Sequence, residues 1–437
     1  MKNCLVLFVC IIPFFGSTQI AMFKTDYMHQ PVSARATGLG VSYLAVADDA
    51  SAIYWNPGAL GMMRHISIAG GVKFGGDIAS LEESSNSTSI TTEIDATNSP
   101  KFGLNHVSIA VPIPFNDYSD FYVVPAFSYH AASNNRSFHS NWDINYNLNG
   151  STGEQIIDYS VKGGRNEMSM GLGVGLGEHF GVGFAYNVLM GSLSSVKSYE
   201  DIMGGATVQK YDVRNDFSYK GNSFTIGFKA STCDASDNVV EADVGYGSGI
   251  DFGFSMTLPS QRTNFRVVSG QNIPTYIQQP LRISAGLAGR LDEALLTFGV
   301  NYTDYSKTYL SSASAPVINF ANELNITADS LFFNSLTALS FGLEVNQTTR
   351  ISINLRNYQY RVASLDGGPP KQPWTFGLAG GWSIPLADYI LLDITGQIEF
   401  FNLQDTLTGY NDIKFNYKGA TLNLFSTLRI TLPYSEF

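Results

Sequence analysis

Charge is scarce in this chain: acidic and basic residues make up 14% of 437 positions, with 26 Lys and Arg against 37 Asp and Glu, for a net charge of −11. Phosphate recognition needs a basic patch, so no nucleic-acid partner is expected. Cysteine is nearly missing. Of the three, Cys4 and Cys10 fall in an N-terminal apolar run; once that run is removed, Cys233 stands alone and no internal disulfide framework can form. The six histidines, His29, His65, His106, His130, His139 and His179, have no metal-ligand spacing and no paired serine nucleophile. No metal, cofactor or catalytic set is expected, and the chain reads as a non-enzyme. His106 and Ser108 share the inward face of one strand, as many polar pairs do in a lumen. Past the N-terminal run there is no uninterrupted apolar stretch of roughly 18 residues, so no helical membrane span is expected. A closed barrel is the other way across, because closure pairs every backbone group between strands.

What the chain does have is strand material: 13% aromatics and 42 glycines. Lys2 precedes an apolar run from Cys4 to Phe15, then Gly16, Ser17, Thr18 and Gln19, the pattern of a cleaved export signal over residues 1–18. Cys10 lacks the preceding small residues of a lipid-anchored leader. From Ile66 one unit repeats: about ten residues alternating apolar and polar, then a polar connector. Ile250, Phe252, Phe254, Met256 and Leu258 alternate with Asp251, Gly253, Ser255 and Thr257; Leu339, Phe341, Leu343 and Val345 alternate with Ser340, Gly342, Glu344 and Asn346. Roughly fourteen such segments, each near the 9–11 residues of a membrane strand, predict an all-β chain: a transmembrane antiparallel barrel over 62–437 in an outer membrane. Short turns are expected at Glu178-His179 and Asn346-Gln347, and long polar loops at Leu81 to Pro100, Tyr199 to Gln209, Arg262 to Gln279 and Ser311 to Asp329.

The segment 19–61 is different. From Arg35 to Gly61 it packs small residues, the pair Asp48-Asp49 and an Asn56-Pro57-Gly58 stop into a block that reads as a plug for the lumen. The aspartates are expected to cap a short helical turn before Ile53; no nearby His or Ser makes them an acid–base pair. Two features interrupt the wall pattern. Gly171, Gly173, Gly175, Gly177, Gly181 and Gly183 share one face, which reads as close approach of the plug and not as a nucleotide loop. Pro125 sits inside FYVVPAFSYH, where it forfeits a ladder bond and should kink the strand.

The run Ala34-Arg35-Ala36-Thr37-Gly38-Leu39-Gly40, then Ala47-Asp48-Asp49-Ala50-Ser51 and Tyr54-Trp55-Asn56-Pro57, resembles the N-terminal hatch of the FadL-like outer-membrane transporters, and more nearly that of their PorV/PorQ-like relatives. The resemblance implies a fourteen-stranded barrel, a hatch carrying Gly38, Gly40, Asp48, Asp49, Trp55, Asn56, Pro57 and Gly58, and uptake of hydrophobic molecules such as long-chain fatty acids. It also implies a lateral gate at a kink in the third barrel strand, placed at Pro125. Asn56-Pro57-Gly58 departs from the family's Asn-Pro-Ala. PorV-like relatives act instead in type IX secretion, so exported proteins are the alternative partners, beside outer-membrane lipids. Inward-facing Arg282, Arg290, Arg356 and Arg429 could meet a ligand carboxylate; their other reading is pairing with Asp393, Glu399 and Glu344 inside the lumen.

Overall fold

A computed structural model describes residues 31–84, 91–97, 101–115, 121–131, 138–148, 151–177, 179–203, 205–232, 248–268, 271–304, 310–312, 335–357, 374–407 and 413–433. The export signal, the first residues of the plug and Cys233 lie outside this set. Fourteen strands form the wall. The first seven are β1 His65–Ser84, β2 Lys101–Ala110, β3 Phe121–Ala131, β4 Ser151–Leu176, β5 Phe180–Met203, β6 Ala206–Ser231 and β7 Ser248–Thr257. The rest are β8 Arg282–Leu291, β9 Ala294–Thr303, β10 Leu336–Val345, β11 Thr349–Asn357, β12 Trp374–Ala387, β13 Ile390–Leu407 and β14 Ile413–Pro433. Each pairs antiparallel with the next, and β14 returns to β1 from His65↔Pro433 to Ser84↔Lys414. Closure leaves the wall no free edge.

Period two sends alternate side chains to opposite faces, and this wall reverses the usual order of a soluble protein. Phe74, Phe184, Phe224, Phe341 and Trp382 are exposed outside, while Ser108, Asp251, Ser340, Glu344, Asp393 and Thr427 are buried inside. That suits hydrocarbon outside and a filled polar lumen within, the arrangement of an outer-membrane barrel. Short connections join Leu176 to Phe180, Leu291 to Ala294, Val345 to Thr349 and Ala387 to Ile390, all at the end that carries His65. Asn346 and Gln347 take left-handed φ of 49° and 55°, the tight reversal expected there.

The long polar stretches differ from the sequence reading. β4 and β6 are each 26 residues long, more than twice what the hydrocarbon requires. Tyr199 to Met203 and Ala206 to Gln209 are strand, and Arg262 to Gln279 lies in a hairpin of strands Ser260–Val268 and Gln271–Gln279 laid on β6. Residues 81–84 and 91–97 likewise pair with each other. Beyond the membrane both faces meet water, so the ladder continues while the apolar alternation that marks it stops. Most of Ser311 to Asp329 lies outside the described residues.

Candidate functional site

Residues 31–64 run through the interior of the ring as short helical turns: α1 Ala34–Leu39, a 3-10 turn Gly40–Ser42, α2 Tyr43–Val46, α3 Ala52–Trp55 and α4 Pro57–Leu60. Such short turns cannot satisfy their own terminal N–H and C=O groups. The wall does it for them. Thr427 Oγ1 accepts from Ala34 N at 2.8 Å, Thr395 Oγ1 donates to the Ala34 carbonyl at 2.7 Å, and Ser340 Oγ accepts from Ser42 N at 2.8 Å. Ser67 Oγ accepts from Ala50 N at 2.9 Å, and Lys229 Nζ donates to Ala47 O at 3.2 Å. The inward hydroxyls are therefore caps for the inner segment.

One ion network ties this segment to the wall. Arg35 Nη2 donates to Glu344 Oε1 on β10 at 2.9 Å, and its Nη1 meets the Asp48 carboxylate. Glu344 also lies 3.3 Å from Arg350 Nε; Arg350 Nη2 reaches Asp393 at 3.1 Å, and Asp393 holds Arg429. Burial alone would raise the Asp48 carboxyl, but the Arg35 guanidinium, with Arg429 behind it, holds it down to about 2. Burial would lower Arg35 in turn, yet Asp48 and Glu344 keep it well above its usual value. Asp49 is raised, by burial first and by its neighbour Asp48. The expected capping pair thus splits: Asp49 Oδ1 accepts from Ser51 N at 2.8 Å at the start of α3, while Asp48 is an ion-pair partner. Arg35 and Arg350 were not singled out from sequence. Arg35 could have been, as the only cation between Val32 and Met63.

The Asn56-Pro57-Gly58 step is a lock. Asn56 Oδ1 accepts from Gly58 N at 3.1 Å, and its Nδ2 donates to Leu44 O at 3.2 Å and to Phe228 O of β6 at 2.9 Å. A Cβ on Gly58 would stand 2.5 Å from Phe228 N and 2.6 Å from the Gly227 carbonyl carbon, so the departure from Asn-Pro-Ala is compelled by contact with the wall. Four of the six glycines expected to meet the plug are the other half of this contact: Gly173 and Gly175 of β4 face Leu60 and Gly61, and Gly181 and Gly183 of β5 face Gly58 and Pro57. Gly171 instead abuts Phe184 and Ala185 of β5, and Gly177 has open space and a φ of +68° in the turn after β4. Gly38 is pressed by the Arg350 stem, where a Cβ would lie 2.5 Å from its Cδ; Gly40 has φ of +67° and abuts Asn354. Trp55 Nε1 donates to Val32 O at 3.0 Å and packs edge-on against Tyr43 and Tyr54.

Pro125 lies in the third wall strand, as the sequence reading placed it. Its carbonyl accepts from Val111 N at 3.1 Å; N–H and C=O of one strand residue point the same way, so the donor it lacks is missing on the β2 side. There the β2–β3 ladder ends at Ala110↔Ala126 and resumes only at Ile113↔Val123 and Pro114↔Tyr122. Pro125 is the residue that leaves this seam short of a donor; Pro112 and Pro114 also lie here, but Val111 and Phe115 donate toward β3, so the even-numbered prolines between them face the other way. On the outer face beside it is an apolar depression of about 590 Å³ lined by Ile109, Val111, Pro125, Phe127, Leu172 and Phe184. Inside, a cavity of about 150 Å³ lies against the inner segment, bordered by Val41, Tyr54, Trp55, Leu339, Arg282 and Arg356.

The four arginines separate accordingly. Arg290 Nε donates to Asp251 Oδ2 at 2.7 Å, Arg356 pairs with Glu399, and Arg429 Nη2 reaches Asp393 at 3.3 Å. Arg282 Nη2 donates to Thr257 Oγ1 at 3.0 Å, and its guanidinium carbon sits 5.3 Å from the Tyr54 ring centroid. Arg282 and Arg356 border the inner cavity; Arg290 and Arg429 are not among its lining residues. Glu344 pairs with Arg35 and Arg350 instead of with any of the four.

No protein-family model matches the chain, and no curated protein matches it. Solved structures do. A Pseudomonas aeruginosa FadL homologue superposes with a TM-score of 0.55 at 11% identity, over 94% of this chain and all of that one. The Pseudomonas putida toluene transporter TodX gives 0.49 at 10% identity over 88% of this chain and 94% of that one, and the Ralstonia pickettii toluene transporter TbuX 0.43 at 9% over 88% and 94%. The fold inference rests on the first of these. A closed fourteen-stranded wall and that superposition together give this chain the fold of a FadL-type outer-membrane channel.

Proposed function

We propose that this protein is an outer-membrane channel for uptake of hydrophobic molecules, with residues 31–64 as a plug and the β2–β3 seam at Pro125 as a lateral exit. One observation carries the reading: the rung that Pro125 leaves without its β3 donor lies beside an apolar depression on the outer face of the wall. A hydrophobic solute crossing a wet pore would forgo its apolar transfer energy, about 25 cal/mol per Å²; leaving sideways keeps its tail out of water. The ligand enters from the outer side, meets the cavity beside Trp55 and Tyr54, displaces the segment before Asn56 and departs beside Pro125. Arg282 and Arg356, both on the cavity border, are the head-group contacts for a carboxylate. Long-chain fatty acids fit this path, as do shorter apolar solutes.

The test is flux through proteoliposomes holding the full-length protein, using an apolar probe and a sugar of similar size. The expected result is passage of the apolar probe with the sugar excluded. Passage of the sugar would make the protein a water-filled porin. Passage of neither, with a secreted protein co-purifying, would favour the secretion role.

A further inference from the structure

Directly inside the seam, β2, β3 and β4 set six inward polar residues at paired positions. His106, His130 and Glu167 form one row, since His106 pairs with His130 and His130 with Glu167. Ser108, Ser128 and Ser169 form the next. The rows are about 7 Å apart along the strands and the columns about 5 Å across them. One step further the row is Ala110, Ala126 and Gly171, and the last two of these line the outer depression. Glu167 is 5% exposed and the other five are fully buried. Among the described residues, His106 Nε2, both ring nitrogens of His130 and the hydroxyls of Ser108, Ser128 and Ser169 have no hydrogen-bond partner; the nearest approach of His130 Nε2 to Glu167 is 3.9 Å.

Each buried polar atom without a partner is costly, and six of them in one patch is far above what interiors usually hold. The inner segment does not supply the partners: it covers His130 with the edge of the Tyr54 ring, 4.5 Å between centroids. The chemistry on offer is mixed. A bulge at Asn105 turns two successive side chains inward, and His106 Nδ1 lies 2.9 Å from Asn105 Oδ1, an acceptor. Nδ1 therefore carries the proton and Nε2 is an acceptor. A neutral His130 adds one donor and one acceptor, and each serine adds both.

We propose that this grid is a head-group subsite for an uncharged donor–acceptor group, an alcohol or phenol hydroxyl, whose apolar remainder occupies the depression beside Pro125. Glu167, Arg165 and Arg282 all act on His130, so charge does not select the solute here; the match is in hydrogen bonding, where a hydroxyl meets both the donors and the acceptors of the grid and a carboxylate brings acceptors only. This assignment rests on the lateral-exit reading and adds the class of solute that the exit favours. Access opens when Tyr54 withdraws from His130.

The experiment equilibrates the detergent-purified full-length protein with n-decanol, n-decane or decanoate and measures retained ligand by mass spectrometry. Wild type should retain decanol over decane by roughly fivefold, the factor one net hydrogen bond supplies. Ser108→Ala with Ser128→Ala should erase that preference and leave decane retention unchanged. Ser223→Ala, an equally buried inward serine already bonded by Asn187 at 3.3 Å, should leave it intact. Heat-modifiable gel mobility reports assembly of each variant. A preference that survives the double substitution, no preference in wild type, or decanoate retention that falls with the double substitution as decanol retention does, overturns the subsite. Retention of none of the three probes overturns the uptake reading and the subsite with it.

Discussion

Single residues hold the inner segment against the wall, and their substitution should be felt locally. Gly58→Ala forces a methyl into the backbone of β6 and should destabilise the closed arrangement by about 1–3 kcal/mol, the cost of overpacking. Gly396→Ala, with nothing within 4 Å of its Cβ, is the matched control. Protease protection of the inner segment reads both. Asp48 gives the pH dependence. Its folded carboxyl titrates near 2, below the roughly 3.9 of an unfolded aspartate. Its contribution, roughly 2 kcal/mol, is therefore complete above pH 4 and lost as pH falls toward 2. Asp49, raised in the fold, contributes with the opposite sign, so Asp48→Asn isolates the effect: the variant should lack the acid-side loss of protease protection that wild type shows. Arg35→Met should cost about 2–4 kcal/mol, because it removes the contact partner of Asp48 and one of the two partners of Glu344, leaving the more distant Arg429 and Lys229 to act on Asp48; an unchanged protease profile would contradict the network.

At the scale of elements, the wall was legible because each membrane strand has hydrocarbon on one side and a polar filling on the other, which writes period two into the chain. β7 from Ile250 and β10 from Leu339 follow that alternation residue by residue. The upper halves of β4, β5 and β6 were not legible, because water bathes both faces and propensity alone does not announce a strand. Arg35 pairing with Glu344 across 309 positions left no local signal, whereas the glycine face of β4 and β5 did, since close backbone approach excludes side chains. Pro125 was legible in the sequence, but the break in pairing opposite it at Val111 and Pro112 was not, because those residues lie outside any alternating run. The seam itself makes a prediction. Of the seam residues only Val111, Ile113 and Phe115 carry an amide hydrogen, and these, flanking the donor missing at Pro125, should exchange faster than the amides of Ile390 to Phe400, which sit in continuous ladders on both sides. Equal protection would mean the seam is as firmly closed as the rest of the wall.

For the whole molecule, the inner segment is fastened around the ring. One sector is the glycine face of β4 to β6, which it meets through backbone contacts; a second is β10 through β14, with hydroxyl caps and the Arg35 network. It also abuts Gly253 of β7, Gly286 of β8 and Gly299 of β9, and Asn105 of β2 bonds Pro31 O and Ser33 N. The seam lies beside the first sector and away from the ion network. A straight axial path would require breaking all these fastenings, but a path that moves only the turns facing β2 and β3 leaves the charged anchor in place. On the proposed function, this arrangement favours lateral passage over expulsion of the inner segment.

The most direct test restores the missing donor. Pro125→Val gives β3 an N–H facing β2 and should close the seam by about one ladder bond, lowering the flux of an apolar probe in proteoliposomes roughly fivefold. Heat-modifiable mobility should be unchanged, since the rest of the wall is intact. That combination is the result the account requires; apolar flux equal to wild type in a correctly assembled Pro125→Val barrel would contradict passage through the wall.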